Sequence, residues 1–510
     1  MLLKLFSALL ILLLILAAVA LLTHQKLPDN SRRSPSQSQA PQDDSPLVQH
    51  LQAQLAQHPQ QSGIYPLRGG RDAFLARLAL AENAKHTLDV QYYIWHDDIS
   101  GRLLMQHLYR AAERGVRVRL LLDDNNTGGM DALLAALNAH PNIQVRLFNP
   151  FMQRGLRPLG YLSDFFRLNR RMHNKSFTAD GIATIVGGRN IGDEYFGAGS
   201  GVMFADLDVL AAGPAAHDVS ADFDRYWQSE SVYPAENIIQ TAPAAFSTAV
   251  ANDAETQNYV RDLAQSAFAQ QLASGSLPLL WAKAQLFSDD PAKGLGKAKI
   301  ADTVQAQIAP AMAAAQNELV IVSPYFVPTR HGKKLLGGMA QSGRKVTVLT
   351  NALSATDVAA VHAGYAKYRR PLLQDGVELL ELKPDATVTV HEHGGLIRGS
   401  SGASLHAKTF AVDGRQLFIG SFNMDPRSAQ LNTEMGLMLD SPELAAELSH
   451  ALKQNMAAHS YRVSLNTDNT LQWQTEENGQ TRTFASEPQS SAFKRFAVWF
   501  CSLLPIEWLL

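Results

Sequence analysis

The stretch His173-Asn-Lys-Ser-Phe-Thr-Ala-Asp180 recurs later in the chain as His406-Ala-Lys-Thr-Phe-Ala-Val-Asp413. Both copies fit the pattern His-x-Lys-x4-Asp. Each is followed at the same spacing by a tail that ends in asparagine, Gly187-Gly-Arg-Asn190 in the first half and Gly420-Ser-Phe-Asn423 in the second. One short motif would carry little weight, but two copies with matching tails indicate an internal repeat.

The elements predicted around the two motifs follow one order. Each half begins with an amphipathic helix, a strand, a helix and a strand, and a further short strand ending in proline leads to the motif. The predicted elements are 73–85, 87–94, 101–115, 116–122 and 143–150 in the first half, and 302–317, 318–326, 332–343, 345–350 and 377–384 in the second. Strands that alternate with helices predict an α/β fold of two similar lobes with mostly parallel sheets.

The spacing within each motif has a chemical meaning. Residues i and i+2 of a strand point to one face, so each histidine lies beside its lysine. Two such strands that meet across a pseudo-twofold axis would bring together two imidazoles, two ammonium groups and two asparagine amides. These donors can neutralise charge on a phosphodiester, while one imidazole attacks phosphorus and the other protonates the leaving alkoxide. The candidate residues are His173, Lys175, Asn190, His406, Lys408 and Asn423, with Ser421, whose counterpart is Gly188.

Paired histidines could instead indicate a metal site. Each motif supplies a lysine where zinc would need a neutral or anionic ligand, so we expect neither a divalent metal nor another cofactor. A second pair, His391 and His393, lies in a Gly-rich stretch without a visible third ligand and is read as a solvated loop. Five arginines just before the first motif form either a solvated face or a contact for anionic headgroups. They are Arg154, Arg157, Arg167, Arg170 and Arg171.

Composition limits the alternatives. The chain has 510 residues, of which 46% are hydrophobic and 18% charged, and this favours a large folded body over disorder. A formal net charge of -2 gives nothing that would recruit nucleic acid globally, so we expect no nucleic-acid partner. The single cysteine, Cys501, excludes an internal disulfide framework.

Both ends of the chain are apolar. Residues 5–22 are apolar except for Ser7 and would span roughly 27 Å as a helix, which fits a membrane anchor or a secretory signal cleaved after Ala20. Residues 28–46 are rich in Pro, Ser and Gln and predict a flexible tether. Residues 461–484 alternate around Asn478-Gly479, as in a hairpin. The aromatic segment after Lys494 either packs on the core or contacts a membrane interface.

These motifs resemble the phospholipase D superfamily, and within it the bacterial cardiolipin synthases of the C type. The resemblance runs from about residue 63 to 484 and includes five further stretches. They are 190–196, 204–208, 213–214, 323–328 and 423–428. It implies that His173 is the nucleophile, that His406 is the general acid, and that the motif aspartates are structural.

The resemblance also implies an acidic residue that orients each histidine. By position these are Asp206 for one histidine and Glu434 for the other, with Asp193 and Asp425 as alternatives. The implied reaction is phosphatidyl transfer through a phosphohistidine, which favours cardiolipin synthesis from phosphatidylglycerol, with phosphatidylethanolamine as an alternative donor. Hydrolysis to phosphatidic acid is the runner-up, followed by a nuclease and a non-catalytic membrane scaffold.

The expected organisation follows from these observations. An anchor or signal (1–26) and a linker (27–50) precede the first lobe (51–235). A connecting helical segment (236–280), the second lobe (281–460) and a hairpin with an apolar tail (461–510) follow. One active site is expected at the interface of the lobes of a monomer. We expect a chain held in the bacterial inner membrane with a periplasmic body, or a secreted chain if the first segment is cleaved.

Overall fold

The structure is a computed structural model that describes most of the chain. The described residues are 6–7, 10–11, 14, 18–21, 24–31, 33–199, 203–356, 358–384, 404–454, 459–477 and 479–510. Half of the predicted segment 5–22 lies outside them, as do His391, His393 and Asn478. Within the described ranges, no helix combines the length and the apolar composition needed to cross a membrane.

The first lobe alternates strands and helices, as the sequence predicts. Its elements are α1 (Pro46–Gln57), β1 (Ser62–Leu67), α2 (Gly70–Asn83), β2 (Thr87–Tyr92), α3 (Ile99–Glu113), β3 (Arg117–Asp123), α4 (Asp131–Asn138), β4 (Ile143–Phe148), α5 (Pro158–Ser163), α6 (Phe165–Leu168), β5 (Ser176–Ala179), β6 (Ala183–Gly187), α7 (Asp193–Phe196), β7 (Phe204–Ala205), β8 (Asp208–Ala212), α8 (Pro214–Trp227) and β9 (Val232–Pro234). Helices α9 (Ala254–Ala264) and α10 (Ala267–Ser274) then connect the lobes.

The second lobe repeats this order and adds a C-terminal extension. Its elements are β10 (Leu280–Ser288), α11 (Val304–Ala313), β11 (Glu318–Val322), α12 (Thr329–Gln341), β12 (Lys345–Asn351), α13 (Ala359–Gln374), β13 (Glu378–Leu382), β14 (Ser404–Leu405), β15 (Lys408–Val412), β16 (Gln416–Gly420), α14 (Pro426–Gln430), β17 (Met435–Asp440), α15 (Pro442–Gln454), β18 (Ser460–Leu465), β19 (Leu471–Glu477), β20 (Gln480–Phe484) and α16 (Ala492–Leu503). The predicted hairpin corresponds to β19 and β20, which pair antiparallel.

The two sheets have one topology. The strand order is β9-β4-β3-β2-β5-β6-β8-β1 in the first lobe and β18-β13-β12-β11-β15-β16-β17-β10 in the second. Strand β10 pairs with β1 through its first residues and with β17 through the rest, so the sheets are continuous. A core cluster with members from both lobes, among them Val209, Val320 and Leu437, lies between them.

The expectation of mostly parallel sheets is wrong. Within the two large sheets of the described residues, only β2, β3 and β4, and their counterparts β11, β12 and β13, pair in parallel. Each motif strand turns back at an Asp-Gly pair with positive φ, Asp180-Gly181 or Asp413-Gly414, and therefore pairs antiparallel with its neighbours. Asp-Gly favours a tight hairpin, so the sequence contained the signal for this difference.

The segment expected to be a flexible linker lies along the first lobe. Arg119 donates a hydrogen bond to the carbonyl of Ser36, and Arg146 donates one to that of Ser34. The amide of Ser38 donates to Asp224, at 2.7 Å. Backbone carbonyls of this polar segment thus accept hydrogen bonds from buried guanidinium groups of the first lobe. These contacts hold the segment against the lobe.

Candidate active site

Each motif histidine is paired with a carboxylate from the other lobe. The Nδ1 atom of His173 lies 2.8 Å from Oε2 of Glu434, and Nδ1 of His406 lies 2.5 Å from Oδ2 of Asp206. All four side chains are buried or nearly so. A carboxylate that accepts a hydrogen bond from Nδ1–H leaves Nε2 of the ring free to face a substrate. The two halves of the chain therefore complete each other's histidine.

Backbone contacts fix this exchange between the lobes. The amide of His173 donates to the carbonyl of Thr433, the residue before Glu434, at 2.8 Å. The amide of His406 donates to the carbonyl of Ala205, the residue before Asp206, also at 2.8 Å. The short parallel pairing of β7 with β14 includes the second contact. Two equivalent bridges place the histidines around one pseudo-twofold axis.

The two lysines lie in the same buried region. The Nζ atoms of Lys175 and Lys408 each donate to the carbonyl of their own motif histidine. Burial, and then the charge of Lys408, lower the pKa of Lys175 well below its ordinary value, although Glu434 opposes this. A phosphate oxygen would supply the negative charge that stabilises these ammonium groups, so the pocket suits an anionic substrate.

The asparagines differ in their partners. The side chain of Asn190 accepts from the amide of Ile94 and donates to the hydroxyl of Tyr195. The Oδ1 atom of Asn423 is buried and has no hydrogen-bond partner among the described residues. Asn190 is therefore fixed by its own lobe, whereas the amide of Asn423 retains hydrogen-bonding capacity that a substrate can use.

Burial controls the protonation of both histidines. Burial, followed by the charges of Lys175, Lys408 and His406, lowers the pKa of His173 well below its usual value. Burial and Lys408 also lower the pKa of His406, but Asp206 opposes that shift. Burial thus favours the neutral imidazole at both residues, and the carboxylate of Asp206 offsets part of the shift at His406.

The pKa values of the two paired carboxylates shift in opposite directions. Burial raises the pKa of Glu434 to about 7, although Lys175, Ser421 and Ser428 act against it. Burial alone would also raise the pKa of Asp206, but His406, Lys408 and Arg189 outweigh it and leave this pKa lowered. The ionised carboxylate of Asp206 therefore stabilises positive charge on its histidine more than Glu434 does on His173.

The sequence of the chain is similar to those of known proteins. A family described as "Cardiolipin synthase, PLD-like domain" matches residues 78–227 and 308–456. Over 463 residues the chain is 51% identical to cardiolipin synthase C of Escherichia coli (strain K12), covering 89% of this chain and 98% of that protein. The chain belongs to this family. It is a phosphatidyltransferase of the phospholipase D superfamily, with the predicted α/β fold of two phospholipase D-like regions.

More distant relatives agree with this placement. An uncharacterized protein of Helicobacter pylori (strain ATCC 700392 / 26695) is 31% identical over 474 residues, 90% of this chain and 92% of that protein. Cardiolipin synthase A of Pseudomonas putida is 27% identical over 389 residues, covering 76% and 66% of the two chains. The crystal structure of phosphatidylserine synthase from Haemophilus influenzae superposes with a TM-score of 0.55 at 16% identity, covering 91% of this chain and all of that one, which shows a shared fold.

The alternative orienting acids have other contacts in this structure. Asp193 accepts from the amides of Ile99 and Ser100 at the start of α3. Asp425 precedes α14 and accepts from the amide of Ser428 at 2.7 Å. The motif aspartates act similarly. Asp180 accepts from the amides of His86 and Thr87, and Asp413 accepts from the amides of residues 316–318, where the chain enters β11.

The arginines before the first motif form mainly internal ion pairs. Arg171 is buried against Asp123, and Arg154 pairs with Asp124 and Asp131. Arg157 contacts Asp124 as well, and Arg167 pairs with Asp164. For these four arginines the expectation of a solvated face is wrong, because acids from β3, α4 and connecting loops lie opposite the guanidinium groups. Arg170 instead donates to the carbonyl of Phe166.

Several residues at the site were missed by sequence reasoning. The ring of Tyr93 meets that of His173 edge-on at 5.0 Å, and the ring of Tyr195 meets that of His406 at 5.2 Å. The hydroxyl of Ser428 donates to Oε1 of Glu434, at 2.7 Å. Asp289 accepts from the backbone amide of Glu434. Tyr195 and Ser428 lie in the tails of the motifs, which was the available signal for both.

Proposed function

We propose that this enzyme makes cardiolipin by transferring a phosphatidyl group from one phospholipid to the headgroup hydroxyl of phosphatidylglycerol. The observation that carries the proposal is the exchange of carboxylates between the lobes, which combines two histidines into one site for two successive displacements at phosphorus. The 51% identity to a cardiolipin synthase supports this choice of acceptor.

In the first step Nε2 of His173 attacks the phosphorus of the donor lipid. A phosphorus–nitrogen bond forms and the bond from phosphorus to the headgroup oxygen breaks. His406 delivers its proton to that oxygen, so the headgroup leaves as a neutral alcohol. The products are glycerol, if the donor is phosphatidylglycerol, and a phosphatidyl group held on His173.

In the second step His406, now neutral, removes the proton from the acceptor hydroxyl. The acceptor oxygen attacks phosphorus, the phosphorus–nitrogen bond breaks, and Nε2 of His173 is regenerated. With phosphatidylglycerol as acceptor the product is cardiolipin. Water in the same place would give phosphatidic acid, and phosphatidylethanolamine as donor would release ethanolamine in the first step.

Product analysis tests this proposal. The purified enzyme is given phosphatidylglycerol labelled in its glycerol headgroup, with and without unlabelled phosphatidylethanolamine. We expect labelled cardiolipin in both reactions, and release of ethanolamine only in the second if that lipid serves as donor. Phosphatidic acid as the sole lipid product would assign the enzyme to hydrolysis instead.

We also propose that the enzyme acts at the bacterial inner membrane, with a periplasmic body held chiefly by residues 5–22. The apolar sequence of this segment supports the proposal. If the segment is instead a cleaved signal, the mature chain would lack this anchor. Deleting residues 5–22 should release much of the protein from membranes, with partial retention through the segment after Lys494. Full sedimentation of a chain that lacks both segments, in high salt, would show that another surface is the anchor.

A further inference from the structure

Two groups of exposed apolar side chains lie on different lobes. We call them together the aromatic rim. In the first lobe they belong to α5, α6 and the preceding loop; in the second they belong to α16 and the residues after it. The members are Leu156, Leu162, Phe165 and Phe166, and Phe493, Phe496, Trp499, Phe500, Leu503 and Trp508. Phe166 is 72% exposed and Phe493 80%.

Helix α16 is apolar on two sides. One side packs on the second lobe, where Val498 joins a small cluster with Leu353 and Ala363. Lys494 also donates to the carbonyl of Thr356, at 3.2 Å. The other side carries the exposed aromatics. An exposed apolar face of this kind indicates a surface that meets an apolar phase or partner.

Arg427 joins the two parts of the rim. Its Nη2 donates to Oδ1 of Asn169, just after α6, at 2.9 Å. Its Nε donates to the carbonyl of Leu509, and its backbone amide donates to the carbonyl of Leu510. One guanidinium group thus lies between the end of the first-lobe patch and the end of the second-lobe patch.

The same short helix leads to the nucleophile. Ser428, the neighbour of Arg427 on α14, donates to Glu434, which in turn pairs with His173. The first-lobe patch is also close in sequence to the first motif, since α6 ends five residues before His173. Arg427 and its neighbour Ser428 therefore connect the ends of both patches to the pair of Glu434 and His173.

The amino-terminal segment arrives on this side as well. The side chain of Asn30 donates to the carbonyl of Val232. The backbone amide of Asn149 donates to the carbonyl of the neighbouring Ser231, and its side chain donates to the carbonyls of Arg167 and Arg170. Asn30 therefore lies near Val232, and Asn149 connects the adjacent Ser231 to the end of α6.

We infer that the aromatic rim docks on the surface of a phospholipid bilayer and presents the active site to lipid headgroups. The inference rests on the proposed function, because a lipid can reach His173 while its acyl chains stay in an apolar phase only if the bilayer lies beside the site. Phe and Trp side chains bordered by Lys494 and Arg495 fit the interface of an anionic membrane.

Single-site labelling tests the docking directly. Since Cys501 is the only cysteine, a C501S background allows one new thiol at Phe166→Cys, Phe496→Cys or, as the control, Val260→Cys on α9. Each full-length chain is labelled with nitrobenzoxadiazole and reconstituted in vesicles of phosphatidylethanolamine and phosphatidylglycerol, with or without nitroxide on the acyl chains. We expect quenching by nitroxide at 166 and 496 and none at 260. Absence of quenching at either rim position would overturn the inference. That outcome includes the case in which the chain's own residues or a second copy shield the position.

Activity separates docking from catalysis. F166S/F496S should lower kcat/KM on long-chain phosphatidylglycerol in vesicles by roughly tenfold or more, because burial of two aromatic side chains is lost. On short-chain phosphatidylglycerol below its micellar concentration the change should be less than about twofold, and V260S should alter neither rate. Equal losses on both substrates would contradict a docking role. A wild-type enzyme inactive on both would instead defeat the proposed function, while the labelling result would still decide the docking.

Discussion

His173 and His406 each receive a carboxylate from the opposite lobe, but the first receives a glutamate beside Ser421 and the second an aspartate beside Gly188. The hydroxyl of Ser421 donates to Glu434 at 2.5 Å. At Gly188 a Cβ atom would lie 2.2 Å from Oδ1 of Asp206, so no side chain fits there. The shorter acid keeps its carboxylate close to the backbone and needs a glycine as its neighbour.

The difference shows that the repeat preserves a geometry rather than a set of residues. It also assigns different electrostatics to the two pairs, because Glu434 has a raised pKa and Asp206 a lowered one. The motifs are nearly identical, so their sequences alone could not distinguish nucleophile from acid. The surroundings of the carboxylates support His173 as nucleophile and His406 as acid.

Removing the histidines should give the largest effects and should differ between the lobes. His173→Ala removes the attacking atom and should abolish transfer, a loss of several orders of magnitude. His406→Ala removes the proton donor and should cost roughly 10²–10⁴-fold with natural lipids. With an activated donor, whose leaving group needs no proton, the rate of leaving-group release by the His406 variant should largely recover in the first turnover. Equal rescue of both variants would contradict the assignment of His173 as nucleophile and His406 as acid.

Exchanging the small residues sharpens the comparison. Gly188→Ser places atoms where Asp206 lies and should cost roughly 10²-fold in kcat/KM, similar to losing the acid that Asp206 orients. Ser421→Gly removes one hydrogen bond to Glu434, which keeps its hydrogen bond from Ser428, and should cost up to about tenfold, since a typical hydrogen bond contributes about 0.5–1.5 kcal/mol. Similar losses for the two variants would show that the pairs do not differ as described. Circular dichroism of both variants controls for folding.

The pH profile of adduct formation depends on the Glu434 pair. Burial keeps the pKa of His173 low, so the acid limb should reflect protonation of Glu434, whose pKa burial raises to about 7. The Ser421 hydrogen bond lowers that pKa, and Ser421→Gly should therefore move the acid limb to higher pH. We would measure the single-turnover rate with an activated substrate across the range. A limb that stays in place or moves to lower pH would contradict this dependence.

The smallest expected effect is that of a chelator, because Lys175 and Lys408 supply the cations of the site. Turnover should remain nearly unchanged after incubation with EDTA and removal of metals. One group in the described part of the chain could hold an ion, formed by His96, Asp98 and Glu194 near the start of α3. Loss of activity on chelation, restored by one specific metal, would refute the expectation, and variants of this group would then locate the ion.

Much of the fold could be predicted because the repeat gives each element twice. The order of β2, α3 and β3 and of their counterparts β11, α12 and β12 follows from hydrophobic periodicity. The antiparallel half of each sheet was missed, although the Asp-Gly turns at Asp180 and Asp413 favour hairpins. Periodicity shows that a strand exists but not which neighbour it pairs with.

The site residues could be named from the motifs and the family resemblance, but their pairing could not. Which acid belongs to which histidine depends on contacts between lobes, from Thr433 to His173 and from Ala205 to His406. Residues 200 or more positions apart meet there, and no local pattern encodes such a contact. The role of Gly188 was hidden for the same reason, since a glycine shows what it accommodates only once Asp206 lies next to it.

Trapping the covalent intermediate tests the central claim most directly. The wild-type enzyme and His406→Ala are mixed with an activated phosphatidyl donor, denatured within one turnover at alkaline pH, where phosphohistidine survives, and digested for mass spectrometry. The phosphatidyl group should be found on His173 in both proteins, and should accumulate in His406→Ala because the second step lacks its base. A phosphatidyl group on His406 of the wild-type enzyme, with His173 unmodified, would contradict the assignment.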